Sequence, residues 1–393
     1  MGGTLGSLYN NVSFGLGLNA REILRLQEQV TSGSRINRAS DDPSAAYRVL
    51  NLSTQGRSLA NYIDNLSEVS DVLEYASTAI DDIKSAMAEA KTLLGDVTGG
   101  TGGGVGVNVT VEGINDVLDR ITAAANSMHS GKYIFGGSNT STAPYAVTRV
   151  DGRITGVTYQ GSNIIREVEV APGVEASSFY CGDELFGSNE RSEPVFTGLT
   201  GAAAGTGTST VTGDVWLTVT NDGSNYRISI DGGLSDVVVP AGGQTNQMVT
   251  DSRTGKVLYV DTTGINATGS EWVRVPGTYD IFNTLISIRD RLETGGLTSA
   301  DMEELRTNAF AAIDELNGVL IQKSVMVGSK IGFLDELKGN IETLQYNTED
   351  EKSRIEQADV AQLAIDLSRR EVLYEMSLAV AGKLLNVSLL DYL

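Results

Sequence analysis

The chain has 393 residues, with 29 basic and 50 acidic side chains and a formal net charge of −21 at pH 7. This negative balance argues against binding nucleic acid or an anionic membrane through charge. Hydrophobic residues make up 40% of the chain, which suffices for a sizeable core. Cys181 is the only cysteine, so an intrachain disulfide, a CxxC redox pair and a cysteine zinc site are excluded.

The amino-terminal segment predicts an amphipathic helix with a weak apolar seam. From residue 16 to residue 37, candidate seam positions recur at alternating steps of three and four, with charged residues between them. Residues 1–18 contain no Lys or Arg and no continuous apolar stretch, so we expect no conventional secretory signal. The candidate assembly residues on this helix are Leu16, Ile23, Leu26 and Val30.

The longest periodic pattern runs from Leu59 to Leu94, where steps of three and four residues alternate without an interrupting Pro or Gly. It predicts a helical rod of roughly 54 Å that needs partners along its length. On spacing alone, it fits a coiled coil or an ordinary helix bundle. Asp41 or Asp42, before Pro43, is suited to cap this helix. The candidate core residues of the rod are Leu66, Val69, Leu73, Ile80, Ile83 and Met87.

A glycine-rich loop at residues 99–106 follows the rod, which we expect to end at Gly95. The loop lacks the Gly-Lys-Ser/Thr of a phosphate-binding loop, so we interpret it as a connection to an antiparallel helix over residues 114–128. Short alternating runs then predict an inserted β domain, with hairpins at Asp151-Gly152 and Asn221-Asp222-Gly223. Residues 201–213 are expected to form a flexible loop.

Helical periodicity returns in the last third of the chain. Thr298 and Ser299 with Glu303 predict the start of a long helix, and Thr348 is expected to cap a final one. The final helix carries two apolar stripes, the second at Ala361, Ile365, Val372, Met376 and Ala379, so we expect two partners for it. The candidate assembly residues on its first stripe are Leu363, Leu367, Tyr374, Leu378 and Leu385.

The order of elements predicts an α+β protein, in which long antiparallel coiled-coil rods are built from both ends of the chain around a β-rich insertion. The apolar faces at the two ends must pair with each other, dock on the rods or be covered by another molecule, which would make a polymer. The expected domains are an amino-terminal assembly helix at 1–44, rod halves at 45–140 and 279–346, a β domain at 141–278 and a carboxy-terminal assembly helix at 347–393.

Residue types argue against catalysis. His129 is the only histidine, which excludes a His-based triad and a multi-histidine metal site, and no motif holds two carboxylates in a cleft. Helix capping explains Asp41 and Asp42 without a metal. The segment 132–135 is more simply an apolar strand between glycine turns than a ligand platform. We therefore expect no catalytic residue, no metal and no cofactor.

Residues 33–46 read GSRINRASDDPSAA and resemble the amino-terminal signature shared by flagellins and hook-associated proteins. Several further stretches are more similar to hook-associated protein 3, the hook–filament junction protein, than to flagellin. The ending at residues 386–393 is instead partly similar to that of flagellin. The resemblance covers residues 16–145 and 278–393, but not the β insertion. The stretches similar to the junction protein are 125–127, 131–140, 144–145, 278–285 and 327–331.

The resemblance implies a structural axial protein of the bacterial flagellum, which joins hook to filament through coiled-coil assembly of its terminal helices. It implies a homo-oligomeric ring or filament with hook-associated protein 1, flagellin and a flagellar export chaperone as partners, and no nucleic acid or membrane partner. It also implies an extracellular position at the junction after type III export without a cleaved signal peptide. Two alternatives stay open: a flagellin that forms the filament itself, and an exported enzyme with helical stalks.

Overall fold

The computed structural model describes residues 2–99, 104–177, 179–294 and 297–390. These ranges have the predicted α+β class, with long helices toward both ends and a β-rich region between them. Within the described ranges, no helix combines the length and apolar character needed to cross a membrane. The helices are α1 Gly2–Ser32, α2 Pro43–Gly99, α3 Gly104–Ala125, α4 Gly182–Phe186, α5 Ile281–Glu293, α6 Ser299–Glu356 and α7 Val360–Leu390.

The strands fall between α3 and α5. They are β1 Met128–His129, β2 Lys132–Tyr133, β3 Tyr145–Val150, β4 Arg153–Tyr159, β5 Glu167–Ala171, β6 Val174–Ser177, β7 Gly187–Asn189, β8 Val195–Thr197, β9 Ala203–Ala204, β10 Asp214–Asn221, β11 Tyr226–Ser229, β12 Val237–Val238, β13 Gln247–Thr250, β14 Val257–Asp261, β15 Gly269–Arg274 and β16 Thr278–Asp280. The chain divides into two compact units, one of Met1–Asp64 with Leu337–Leu393 and one of Asn65–Glu336.

The start of α2 confirms the predicted cap and shows that Asp42, rather than Asp41, forms it. Asp42 Oδ1 accepts a hydrogen bond of 3.0 Å from the backbone N–H of Ala45, with Pro43 at the first helical position. This bond lowers the pKa of the Asp42 carboxyl, with a smaller contribution from Arg35. The helix runs to Gly99, past the predicted end at Gly95, because one glycine costs a helix only about 1 kcal/mol.

The predicted cap at Thr348 is wrong, since this residue lies inside α6. Its hydroxyl donates to the carbonyl of Leu344 at 2.8 Å, and residues 340–356 contain neither Pro nor Gly, so the helix continues to Glu356. The last helix begins instead after Asp359, whose Oδ1 accepts from the N–H of Gln362 at 3.0 Å.

The capping bonds at the start of α6 involve Asp301, whereas the sequence suggested Glu303. The N–H of Thr298 donates to Asp301 Oδ2 at 2.8 Å, and the N–H of Asp301 donates back to Thr298 Oγ1 at 3.2 Å. This reciprocal pair satisfies two backbone donors at the helix start. Glu303 forms an ion pair with Arg306 instead, one turn farther along.

The β-rich region contains both predicted hairpins. β3 and β4 pair through Asp151 and Gly152, whose φ angles of 51° and 85° suit a tight turn between antiparallel strands. β10 and β11 lie side by side in an antiparallel sheet of order β12-β11-β10-β15-β8, and β13, β14 and β9 form a second sheet. The side chains of their shared core are Val211, Leu217, Val219, Ile228, Ile230, Val239, Val249, Leu258, Val260, Val273 and Val275.

The segment 201–213, expected to be a loop, contributes to this fold. It contains β9, which pairs with β14, and the side chains of Ser209, Val211 and Thr212 are buried. The N–H of Val257 donates to Thr210 Oγ1 at 2.7 Å. The many glycines suggested a loop, but burial of the intervening side chains gives this segment a defined path.

Candidate assembly surfaces

The terminal helices α1 and α7 pack against each other. Leu26 of α1 is buried, and Leu16, Ile23 and Val30 are half-buried. Arg370 of α7 donates to Asn19 Oδ1 of α1 at 3.2 Å. Of the three possibilities for the apolar ends, the structure therefore shows pairing with each other.

The assembly residues predicted on α7 divide between the covered side and its margin. Leu363, Leu367 and Tyr374 are half-buried and share the helix side that carries Arg370. Leu378 is 46% exposed and lies at the margin of this side. The side chain of Leu385 lies outside the described residues.

The second apolar stripe of α7 is open. Ile365, Val372, Met376 and Val380 are each more than half exposed, and their spacing of seven and four residues places them on one helix face. Ala361 and Ala379 extend the same face and are also exposed. A contiguous exposed apolar surface marks an interaction site more often than single exposed apolar residues do.

The segments that join these helices to their neighbours are themselves paired. Ser34 forms a β-bridge with Gln357, and the N–H of Arg35 donates to the carbonyl of Glu356 at 2.7 Å. Gly33, with φ of 68°, accepts from the N–H of Ala358 at 3.1 Å. The sequence signature at 33–46 thus includes residues that hydrogen-bond the segment after α1 to the segment between α6 and α7. Sequence reasoning missed this role because the partners lie more than 300 positions away.

The six rod residues predicted on α2 lie in its most buried stretch. All six are at most 1% exposed. Around them, Glu89 forms an ion pair with Arg120 of α3, and Lys91 Nζ lies 2.5 Å from Asp314 Oδ1 of α6. The seam of α2 is therefore covered, and its rim is bridged by charged pairs. The six residues are Leu66, Val69, Leu73, Ile80, Ile83 and Met87.

A buried polar network that sequence reasoning did not find joins α3, α5 and β4. Arg289 is 1% exposed, and its Nη1 donates to Asn115 Oδ1 at 3.2 Å and to the carbonyl of Ile154 at 2.6 Å. Asn115 Oδ1 also accepts from the N–H of Ile154 at 3.0 Å. Asp290 pairs with Arg289 and with Arg253, which connects the network to the loop before β14.

Among the described residues, no group of three or more His, Cys, Asp or Glu side chains lies close enough together to hold a metal ion. The ring of His129 packs against that of Tyr75 at a tilt of 45°, with the ring centroids 4.5 Å apart. In the segment 132–135, Ile134 and Phe135 are buried, and Lys132 pairs with Glu68 at 3.8 Å. Ile134 and Phe135 thus pack into the fold, and the predicted strand is shorter than expected, since it covers only Lys132–Tyr133.

Comparisons with known proteins found similarity to flagellar proteins. Residues 7–140 match the family model of the bacterial flagellin N-terminal helical region. A flagellar filament 41 kDa core protein from Borreliella burgdorferi is 27% identical over 124 residues, a match that spans 30% of this chain and 37% of that protein. The chain thus spans little more than a third of the curated relative that it matches.

Solved structures extend the likeness to most of the chain. FlgL of Xanthomonas campestris covers 76% of this chain and 98% of its own, with a TM-score of 0.51 and 18% identity. A putative flagellar hook-associated protein from Vibrio parahaemolyticus covers 81% of this chain and 100% of its own, with a TM-score of 0.51 and 14% identity. At such identities the likeness shows a shared fold.

These matches confirm the resemblance to hook-associated protein 3 and to flagellin-like proteins. Residues 7–140 match the bacterial flagellin N-terminal helical region, and the chain shares its fold with the solved FlgL and hook-associated protein structures.

Proposed function

We propose that this chain is a structural subunit of the flagellar axis that joins hook to filament by self-assembly of its terminal helices. The observation that carries the proposal is the open stripe of Ile365, Val372, Met376 and Val380 on a helix whose other side already packs on α1. Burying this stripe between subunits would stabilise a polymer by about 25 cal/mol for each Å² of apolar area removed from water.

The α1–α7 pair also exposes apolar side chains on α1. Phe14 is 67% exposed and Leu24 is 65% exposed. A tube of such pairs would cover both helices, with coiled-coil contacts between neighbours. In this arrangement the rod halves at 45–140 and 279–346 form the next layer, and the β domain at 141–278 forms the outer surface. The alternating spacing of the buried α2 seam supports coiled-coil packing of the rod within each subunit.

The proposed partners follow from the likeness to junction proteins. We propose hook-associated protein 1 on the cell side and flagellin on the distal side, in a homo-oligomeric ring outside the cell. An export chaperone would hold the terminal helices before type III export, which needs no cleaved signal peptide. This role requires neither catalysis nor a cofactor, and it involves neither nucleic acid nor a membrane.

A flagellin that builds the filament itself is the second candidate. It is favoured by the match of residues 7–140 to the flagellin family model and by the relative named as a filament core protein. Both candidates use the same open stripe and differ in whether addition stops after one layer.

Seeded assembly separates the two candidates. Purified protein is added to isolated hooks that carry hook-associated protein 1 and, in parallel, to flagellin filament fragments, and growth is measured by electron microscopy. The junction role predicts one added layer on hooks and no extension of filaments. Unlimited extension of the fragments would identify a flagellin, and binding to neither end would contradict both proposals.

A further inference from the structure

One side of the paired strands β10 and β15 carries a row of polar and aromatic side chains. Residues directly opposite each other on antiparallel strands point to the same side of a sheet, and every second pair shares that side. The pairs on this side are Asp214 with Arg274, Trp216 with Trp272 and Thr218 with Ser270. The intervening residues Leu217, Val219 and Val273 belong instead to the apolar core shared by the two sheets.

This polar side of the sheet faces helices α5 and α6. The Cζ atom of Arg291 in α5 lies 5.7 Å from the centre of the Trp216 ring, and Ser287 Oγ donates to the carbonyl of Asp214 at 3.5 Å. Arg274 forms an ion pair with Glu315 of α6. The Arg274–Glu315 pair therefore ties strand β15 to helix α6.

Arg274 has a second carboxylate within reach. Asp214 lies directly opposite it on β10, and the Cβ atoms of residues in such a pair are about 4.5–5.5 Å apart. The guanidinium nevertheless pairs with Glu315 in the structure. Two carboxylates on different elements thus compete for one guanidinium.

Burial decides which carboxylate is the stronger competitor once both are ionised. The side chains of Arg274 and Glu315 are 39% and 41% exposed, so water screens their attraction. Asp214 is 7% exposed, and a buried carboxylate needs an opposite charge more than an exposed one does. Burial raises the pKa of Asp214 to about 6, and Arg274 lowers it. In acid Asp214 is neutral and leaves Arg274 to Glu315.

The other charged groups beside this side of the sheet have partners of their own. Asp280 accepts from the N–H groups of Phe282 and Asn283, and its Oδ2 lies 3.6 Å from Lys256 Nζ. Burial lowers the pKa of Arg291, whereas the carboxylates of α6 raise it. Arg274 is the charge that lowers the pKa of Asp214. The neighbouring charged groups are Asp280 and Arg291 of α5 and Asp301 and Glu304 of α6.

We propose that Arg274 exchanges its partner Glu315 for Asp214 when Asp214 loses its proton. The tie between β15 and α6 is then present in acid and released near neutral pH, so this junction between sheet and helices is a pH-sensitive latch. All of the residues involved lie within the Asn65–Glu336 unit, and the latch does not depend on the assembly role.

Tryptophan fluorescence of the full-length protein reports on the latch. Trp216 and Trp272 are the only tryptophans of the chain, and their ring centroids lie 4.7 Å apart. Each stands two residues from a member of the Asp214–Arg274 pair, on the same side of the sheet. The parent should show a fluorescence transition with a midpoint at about pH 6, and Asp214→Asn should lose it.

The variant Glu315→Gln tests the exchange of partners. It frees Arg274 to hold the ionised Asp214 at every pH, so the midpoint should fall by about one pH unit or more. Two controls should keep the midpoint of the parent. His129→Gln removes the only histidine, a residue type that ordinarily titrates in this range, and Glu304→Gln removes a carboxyl of α6 whose pKa is raised by burial. Melting curves verify that each variant is folded.

A double-mutant cycle of Arg274→Met and Glu315→Gln measures the tie itself. Melting temperatures should show coupling between the two substitutions at about pH 5 and none at about pH 7.5. Equal coupling at both pH values would overturn the proposal. So would a parent without a transition near pH 6, a transition that survives Asp214→Asn, or a midpoint that Glu315→Gln leaves unchanged.

Discussion

Arg289 Nη1 donates a hydrogen bond of 3.2 Å to Asn115 Oδ1, and both side chains are buried, so two residues 174 positions apart fix α5 against α3. The same oxygen of Asn115 also accepts a hydrogen bond from the backbone N–H of Ile154. A single amide oxygen thus accepts from both a buried guanidinium and a strand backbone. This arrangement joins the β-rich region to the helices by polar contacts as well as apolar ones.

Asn115→Leu is therefore expected to destabilise the protein by about 1–3 kcal/mol, because it leaves donors of Arg289 and Ile154 buried without their acceptor. Urea unfolding followed by circular dichroism measures the change. Arg120→Met is the control, since it breaks an exposed ion pair with Glu89 that is worth at most about 1 kcal/mol. Equal losses in the two variants would contradict the importance of the buried network.

Leu73→Ala should cost about 2–5 kcal/mol, the range for deleting a buried leucine side chain. Leu73 is 0% exposed at the middle of the buried seam of α2. Its neighbour Glu74 is exposed, so Glu74→Ala is a matched control on the same helix. Thermal unfolding of both variants tests the assignment of Leu73 to the core, and similar melting temperatures would show that it is wrong.

The two stripes of α7 predict opposite effects of the same substitution. Ile365 is 62% exposed, so Ile365→Asp should leave the stability of the monomer nearly unchanged and abolish assembly, where an unpaired carboxylate would have to be buried. Leu367 lies on the side packed against α1, so Leu367→Asp should also loosen the α1–α7 pair in the monomer.

Limited proteolysis and addition to isolated hook ends measure these two effects separately. Faster cleavage of the terminal helices is expected only for Leu367→Asp, and loss of assembly is expected for both variants. Normal addition of the Ile365→Asp protein to hook ends would show that the open stripe is not part of the assembly surface.

Burial raises the pKa of Asp214 to about 6, although the nearby charge of Arg274 acts to lower it. Because the folded protein holds this proton more tightly than the unfolded chain, Asp214 contributes stability below pH 4 that is lost as the pH rises through about 6. Asp214→Asn should remove this dependence and raise stability above pH 6 by up to about 3 kcal/mol. The difference in melting temperature between variant and parent, followed from pH 4 to pH 7, checks both sign and window. A constant difference would contradict the shifted pKa.

Local patterns in the sequence determined the helices, the buried seam of α2 and the hairpin turns. Apolar spacing at Leu66, Leu73 and Ile80 reports which face of a helix avoids water, whatever covers that face. Asp151-Gly152 likewise specifies a turn because few residue pairs adopt two positive φ angles. Such information lies within a few neighbouring residues, so it can be read without the fold.

Tertiary structure decided the pairing of the helices and the places where polar side chains meet. Thr348 has the chemistry of a cap, but the helix through it continues, whereas α6 begins at the reciprocal pair of Thr298 and Asp301. The bond between Arg289 and Asn115 depends on residues 174 positions apart in the chain. Periodicity describes one segment at a time, whereas hydrogen bonds and cavities arise between segments, so only their arrangement in space could reveal them.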